Sequence, residues 1–399
     1  MTGSSYYNVE KAAAWRSGGS TQAEARVYNE RLILSLIRLH GELSKVELTH
    51  LTGLAPQTIT SIVNGAAANE LLLRGKPRRG GVGQPSVPYE LNASGAWSLG
   101  LSLDARGCEL VLIDFLGNVV DRATLPLSPL SPEAVVRGVV AAIESMLSRH
   151  PRIATARIAG LGIASPFHGT GWAARLGLAR DIADLWTTVD LRAEIDAHFD
   201  WPVYLLADGT VAAGAELTFG AGLGRSDFLY VHIGGSISGG LVLDHHLHAG
   251  RNGLAGMIGE LAAVLPPAGD ARTLNEMASL NAVRPQLRDA LLIAAAGEIE
   301  QPGPAQWVET AAAAITATVR QAIGMLDIDT IVIDGDVSVV TRKAIARSMR
   351  RNLAQSTAAR PEPFAVLEGR FGRDAFVLGG AAVPLIVRYS SDKDLLFKE

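Results

Sequence analysis

The sequence predicts an α/β protein: a small, largely helical module followed by a larger body of sheets and helices. Three observations carry this expectation. Between Leu205 and Glu260 an apolar strand runs into an aspartate, then a helix of small residues, then two short apolar strands bounded by glycines. From Trp97 onward strands come first and then alternate with helices, the order of layered α/β folds. Ahead of them lie three amphipathic stretches and a basic, turn-rich segment. Length and composition agree. A chain of 399 residues, 48% of them hydrophobic, is long enough for more than one core.

Several classes fall away at once. A net charge of −4 argues against general nucleic-acid coating but permits one basic patch. The single cysteine, Cys108, excludes an internal disulfide framework and a multi-cysteine zinc site. Met1 to Gly19 lacks the apolar core of a secretory signal, and no apolar run is long enough to span a bilayer. A cytoplasmic protein with no membrane partner is expected.

Residues 1–22 show no sustained periodicity and are expected to form a mobile arm. A DNA-binding module is expected over 23–92. Its first helix places Ile33, Leu36, Ile37 and His40 on one face, with Arg31, Ser35 and Arg38 opposite, and stops at Gly41. Ser44-Lys45-Val46-Glu47 is a capping-box pattern that opens a short second helix ending near Gly53. Pro56 suits the first turn of a third helix, where its missing amide has no intrahelical partner. There Ile59, Ile62, Val63 and Ala66 face inward, while Gln57, Thr58, Thr60, Ser61 and Asn64 supply an uncharged polar surface suited to reading base edges in a major groove. The segment from Arg74 to Pro85 is basic and leads into the strand-like Val87 to Leu91. It offers Lys76, Arg78 and Arg79 to phosphates. Three helices and a basic hairpin make the winged helix-turn-helix plan. They also suit a small bundle with a solvated loop, and spacing alone does not separate the two.

Two further segments follow, 97–225 and 226–399. Trp97 to Leu103, Cys108 to Phe115 and Val119 to Leu125 read as strands, the last two joined at the Gly117-Asn118 hairpin signal. Pro132 to Arg149 is predicted helical, Arg157 to Ser165 a strand, Trp172 to Trp186 irregular, and Asp190 to Phe199 helical. A strand from Val203 ends at Asp208, and the helix after it continues through Glu216. Phe228 to Ile233 and Leu241 to Leu243 are strands. Helices are expected near Leu274 to Ala295, over Gln306 to Leu326 and from Val337, with a strand at Thr330 to Ile333. Phe376 to Ile386 is an apolar helix that returns to the first of the two segments.

Ala207-Asp208-Gly209-Thr210, Gly234 to Gly240 and Ala255-Gly256-Met257-Ile258-Gly259-Glu260 resemble, in order and spacing, three elements of the ROK family (repressor, open reading frame, kinase). In that family these read Asn-Asp-Ala-Asn, Gly-Thr-Gly-Ile-Gly and Ala-Gly-Glu-Ile-Gly-His. The resemblance covers nearly the whole chain. It implies an actin-like, sugar-kinase body of two ribonuclease-H-like lobes, and a winged helix-turn-helix at this N-terminal position in the repressor branch. It also implies a sugar pocket containing Asp208, Glu260 in place of the family histidine, and Glu276 in Asn275-Glu276-Met277-Ala278-Ser279. Met257 stands where the family has a glutamate. An aspartate at a strand-to-helix junction can also serve only as a helix cap. Three buried carboxylates would repel one another when the pocket is empty, which favours a polyol or a cation there.

The kinase chemistry looks lost. Against the family's Asp-Ile-Gly-Gly-Thr phosphate loop stands Asp104-Ala105-Arg106-Gly107-Cys108. Ser236 and Ser238 replace glycines in the hairpin. Asp334-Gly335-Asp336 replaces a Gly-Gly-Gly turn and sets two carboxylates where polyphosphate charge would lie. No catalytic residue, cofactor or metal is therefore assigned, and His245, His246 and His248 read as solvated loop histidines. The expectation is a transcriptional repressor of carbohydrate-related genes, a homodimer or dimer of dimers on a double-stranded operator, sensing a sugar-like effector. The competing readings are an ATP-dependent sugar kinase in which Asp208 is the base, and a DNA-binding scaffold with a decayed pocket.

Overall fold

The computed structural model describes residues 21–391 apart from 79–85, 105–106, 128–129, 167–171, 176, 264–271, 296 and 355–363. Residues 1–20 of the expected arm thus lie outside the described residues. Helix α1 (Gln22–His40) opens with a capping box between Thr21 and Glu24 and closes at Gly41, whose φ of +82° favours glycine. Strand β1 (Glu42–Ser44) follows, then α2 (Lys45–Thr52), α3 (Pro56–Ala68), β2 (Leu72–Arg74) and β3 (Pro88–Leu91). The three strands form one antiparallel sheet in the order β1-β3-β2. Strand β1 was not anticipated, because three residues are too few to show alternation. Ser44 and Glu47 make the expected capping box at α2, and Pro56 occupies the first turn of α3.

The body begins with β4 (Trp97–Asp104), β5 (Gly107–Asp114) and β6 (Val119–Pro126), followed by α4 (Pro132–Arg149) and β7 (Ile158–Ser165). Next come α5 (Trp172–Arg175), α6 (Arg180–Trp186), α7 (Leu191–Asp196), β8 (Val203–Ala207) and α8 (Asp208–Phe219). Strands β9 (Phe228–Ile233), β10 (Ile237–Leu243) and β11 (His246–Leu247) open the second half. Short β12 (Ala262–Ala263) and β13 (Arg272–Thr273) pair with each other before α9 (Leu274–Ala278), α10 (Pro285–Ile293) and α11 (Pro302–Leu326). The chain closes through β14 (Thr330–Gly335), α12 (Val339–Ala354), β15 (Ala365–Glu368) and α13 (Ala375–Tyr389).

Two five-stranded sheets result, β6-β5-β4-β7-β8 and β11-β10-β9-β14-β15. Each is three antiparallel strands continued by two parallel ones, so both lobes repeat one topology, that of the ribonuclease-H-like fold. The alternation of β5 is used on both faces. Leu110 and Leu112 join the core under α4, while Val111 and Ile113 pack with the N-terminal module and α13. The last helix, α13, lies across β4 and β7 and along α8. That crossing is close enough for backbone contact, since a Cβ on Gly162 or Gly380 would run into the other strand or helix.

Two expectations need correction. Trp172 to Trp186 is not irregular but carries α5 and α6. Its starts are hidden because Ala179, which precedes α6, makes no side-chain cap bond. The helix expected at Asp190 to Phe199 is shorter, capped by Asp190 and ending at Asp196. The face of α1 opposite its apolar stripe packs in part on the body. Arg38 donates to the Phe115 carbonyl (2.9 Å), and Ser35 Oγ accepts from the Ser391 amide (3.1 Å).

Candidate ligand cleft and candidate nucleic-acid interface

On α3, Ile59, Ile62, Val63 and Ala66 are buried in the core shared with α1 and α2. The 3.6-residue period therefore leaves Gln57, Thr60, Ser61 and Asn64 exposed and Thr58 half-buried. Lys45 Nζ donates to Asn64 Oδ1 (2.8 Å), bringing a cation to this uncharged face. Sequence reasoning had used the Ser44–Glu47 pattern only as a helix start and so missed Lys45. Lys76 and Arg78 are exposed. Arg78 forms an ion pair with Glu42 and a backbone bridge with Ser86. Arg79 and the glycine-rich run to Pro85 lie outside the described residues.

The second site is at the carboxyl ends of the parallel strands β7 and β8, where the first lobe meets β10 of the second. Asp208, the first residue of α8, is half-buried, and its Oδ1 accepts from the Gly209 amide (2.6 Å). Only glycine fits at 209, because a Cβ would collide with the Gly239 carbonyl. Asp208 shares a cleft with Ser236, Ser238, Met257, Glu260 and Asn275. Asn275 ties the second-lobe wall together. Its Oδ1 accepts from the Ile237 amide (2.7 Å), and its Nδ2 donates to Glu260 Oε1 (3.2 Å). Asn275 was missed although it precedes Glu276 in the matched motif; the signal was the motif itself. The cleft volume is about 40 Å³, room for a water or two and too small for a pyranose ring.

Glu276 is not in this lining. It is exposed, and with Thr273 it makes the capping box of α9, accepting from the Thr273 amide (2.7 Å) and hydroxyl (3.1 Å). These bonds hold its carboxyl below the usual range. Glu260 is also exposed, so the three buried, mutually repelling carboxylates expected from the sequence do not occur.

At the turn where the resemblance places phosphates, the two aspartates behave differently. Asp334 is fully buried and turned inward. It is ion-paired with Arg342 and accepts from the amides of Phe371 (3.3 Å) and Gly372 (3.0 Å). Its charge is thus spent inside the fold, contrary to expectation. Asp336 stays at the turn, against His232 Nε2 (3.3 Å), with Oδ2 only 3.1 Å from where a Cβ on Gly234 would be. Ser236 and Ser238 line the Asp208 cleft rather than a separate phosphate pocket. Arg106 lies outside the described residues. Near it, burial pushes the Cys108 thiol up to about 12, so it is inert at neutral pH. His245 and His248 are exposed. His246 is half-buried on β11, its Nδ1 against the Asp244 carbonyl (2.6 Å).

Among the described residues no helix is long and apolar enough to cross a membrane. The chain is 24% identical to the xylose repressor of Bacillus subtilis over 247 residues, 60% of this chain and 62% of that protein. A solved ROK family transcriptional regulator, described as a homologue of the Escherichia coli Mlc protein, superposes with a TM-score of 0.65. It is 19% identical and covers 92% of this chain and 97% of its own. A ROK hexokinase from Thermus thermophilus superposes at 0.54 with 21% identity, covering 72% of this chain and 97% of its own. The family model described as ROK family matches residues 99–385, well over half of the sequence. With its twin lobes, the cleft at Asp208 and that match, the chain belongs to the ROK family.

Proposed function

We propose that the protein is a DNA-binding transcriptional regulator, a repressor of carbohydrate-related genes acting in the cytoplasm as a homodimer or dimer of dimers. Its kinase-like body senses a sugar without phosphorylating it. The observation that carries this reading is α3: an exposed, uncharged polar face opposite a fully buried stripe, in a module with the antiparallel hairpin of a wing. Gln57, Thr58, Thr60, Ser61 and Asn64 contact base edges, while Lys45, Lys76, Arg78 and Arg79 contact phosphates. Two-fold operators require two such helices, hence the dimer.

In the cleft, Asp208 and Glu260 accept hydrogen bonds from the effector. Asn275 fixes Glu260, and Glu276 acts one step back by capping the helix that carries Asn275. The described lining contains two carboxylates and no Arg, Lys or His. A neutral polyol, rich in donors, therefore suits it better than a sugar phosphate. Asp336 beside Gly234 disfavours nucleotide phosphates, which supports an inert body.

The test is binding to the DNA upstream of its own gene across a salt series. Alanine at Arg78 and Arg79 should weaken binding to all sequences and flatten the salt slope. Gln57→Ala should change sequence preference, with the salt slope kept. Salt-independent or absent binding rejects the regulator. A sugar kinase is the second reading, favoured by Asp208 at the position of the family's base. ATP-dependent phosphorylation of any hexose, abolished in Asp208→Asn, would establish it.

A further inference from the structure

Helix α8 has one end in the cleft and the other at the N-terminal module. Its first residue is Asp208, with Gly209 against Gly239. Eleven residues later, roughly 16 Å along the axis, comes Phe219. There the guanidinium of Arg38, from α1, is stacked between two rings. Its Cζ lies 4.9 Å from the centroid of Phe115 and 5.2 Å from that of Phe219, while Nη1 donates to the Phe115 carbonyl. Phe219 has little freedom, since its ring lies 2.8 Å from where a Cβ on Gly117 would be.

The same end of α8 is fastened to the second lobe. Glu216, fully buried, accepts from the Arg370 amide (2.6 Å), and Arg370 Nη1 donates to the Phe219 carbonyl (3.1 Å). The next two residues, Phe371 and Gly372, donate to Asp334 on β14. Between its ends α8 has no exposed residue, so it is packed to move as a unit rather than bend. On the far side of Arg38, α1 shares its core with α3 through Ile33, Ile37, Ile59 and Ile62.

We propose that α8 is the strut that couples the cleft to the N-terminal module, and that Arg38, clamped between Phe115 and Phe219, is the positioning residue through which its movement reaches α1 and α3. This rests on the reading that Asp208 faces the effector and α3 the operator. It goes further in naming the route. A demonstrated response of one end to a change at the other is what distinguishes a route from mere intermediacy.

Hydrogen–deuterium exchange of the full chain, free of DNA and sugar, tests it. In Arg38→Ala the amides of residues 208–212 and 236–239 should exchange at least threefold faster than in the unsubstituted protein, with β14 unchanged and Arg38→Lys in between. Acceleration confined to α1, 115–119 and 219–225, or no acceleration, overturns the proposal. If Arg38→Ala loosens β14 as well, the milder Phe219→Leu is judged by the same criteria. Because binding linkage is reciprocal, saturating the unsubstituted protein with its upstream DNA should slow exchange at 208–212, an effect lost in Arg38→Ala. Absence of DNA binding would count against the regulator reading alone, leaving the DNA-free comparison to decide for or against the strut.

Discussion

Glu216 and Asp334 bring two carboxyl groups into the interior near Tyr230, and their partners decide how each is held. Asp334 has Arg342 and the Phe371 and Gly372 amides. Among the described residues Glu216 is held by neutral backbone donors, the amides of Ala221, Arg370 and Phe371. Burial pushes its carboxyl up to about 7, with the charge of Asp334 adding to the rise and the amide bonds opposing it. The folded state therefore binds a proton that the unfolded chain, with an ordinary glutamate, has already released. The stabilisation is complete below the ordinary glutamate range and is lost as pH rises through about 7. Urea midpoints should accordingly fall between pH 5 and pH 8, and Glu216→Gln should flatten that fall. An unchanged slope would mean that Glu216 is ionised throughout. None of this was visible from residue identity: Glu216 reads as the end of a helix of small residues, and its burial depends on Arg370 and Phe371, far along the chain.

Among the elements, start signals were legible where side chain and backbone satisfy each other locally. Ser44 and Glu47 open α2 as expected, and the same reciprocal pattern opens α1 at Thr21–Glu24 and α9 at Thr273–Glu276. The last of these explains why Glu276 lies outside the cleft lining. A glutamate three residues after a threonine is both a motif letter and a cap, and here the cap accounts for its position. Losing the Ser44 bond to the Glu47 amide leaves one of the first-turn donors of α2 without its side-chain partner. Ser44→Ala should destabilise the module by about 1 kcal/mol, read as an earlier urea transition in the N-terminal module. A change within error would show that solvent already serves the α2 terminus. The stripe of α3 was legible for a similar reason, because a strong period needs no knowledge of the partner. Helix α6 had no such cue, and the docking of α1's polar face on Phe115 and Ser391 depends on segments far along the chain.

At the scale of the whole molecule, two sheets of one strand order place a cleft between them and a helix, α13, across the first. Since the cleft measures about 40 Å³ among the described residues, binding of the proposed sugar should favour a more open arrangement of this site. A thermal-shift comparison of neutral aldoses with their phosphate esters should raise the melting temperature for a neutral sugar and leave it unmoved by the esters. At a hundredfold excess over the dissociation constant the gain is about 2.7 kcal/mol. Stabilisation by a phosphate ester alone would contradict the charge argument for this pocket.

By itself the sequence determined the order of most strands and helices, the inward stripe of α3, and the aspartate at the mouth of a glycine-lined cleft. These follow from periodicity and backbone chemistry acting over a few residues. Only the tertiary structure decided that Asp334 turns inward, that Glu276 caps α9 outside the cleft lining, and that Arg38 sits between two rings beside a carbonyl 77 residues away. Such outcomes depend on which surfaces meet when distant segments pack. A charge exposed in its own helix can be enclosed by another, and no local pattern records that.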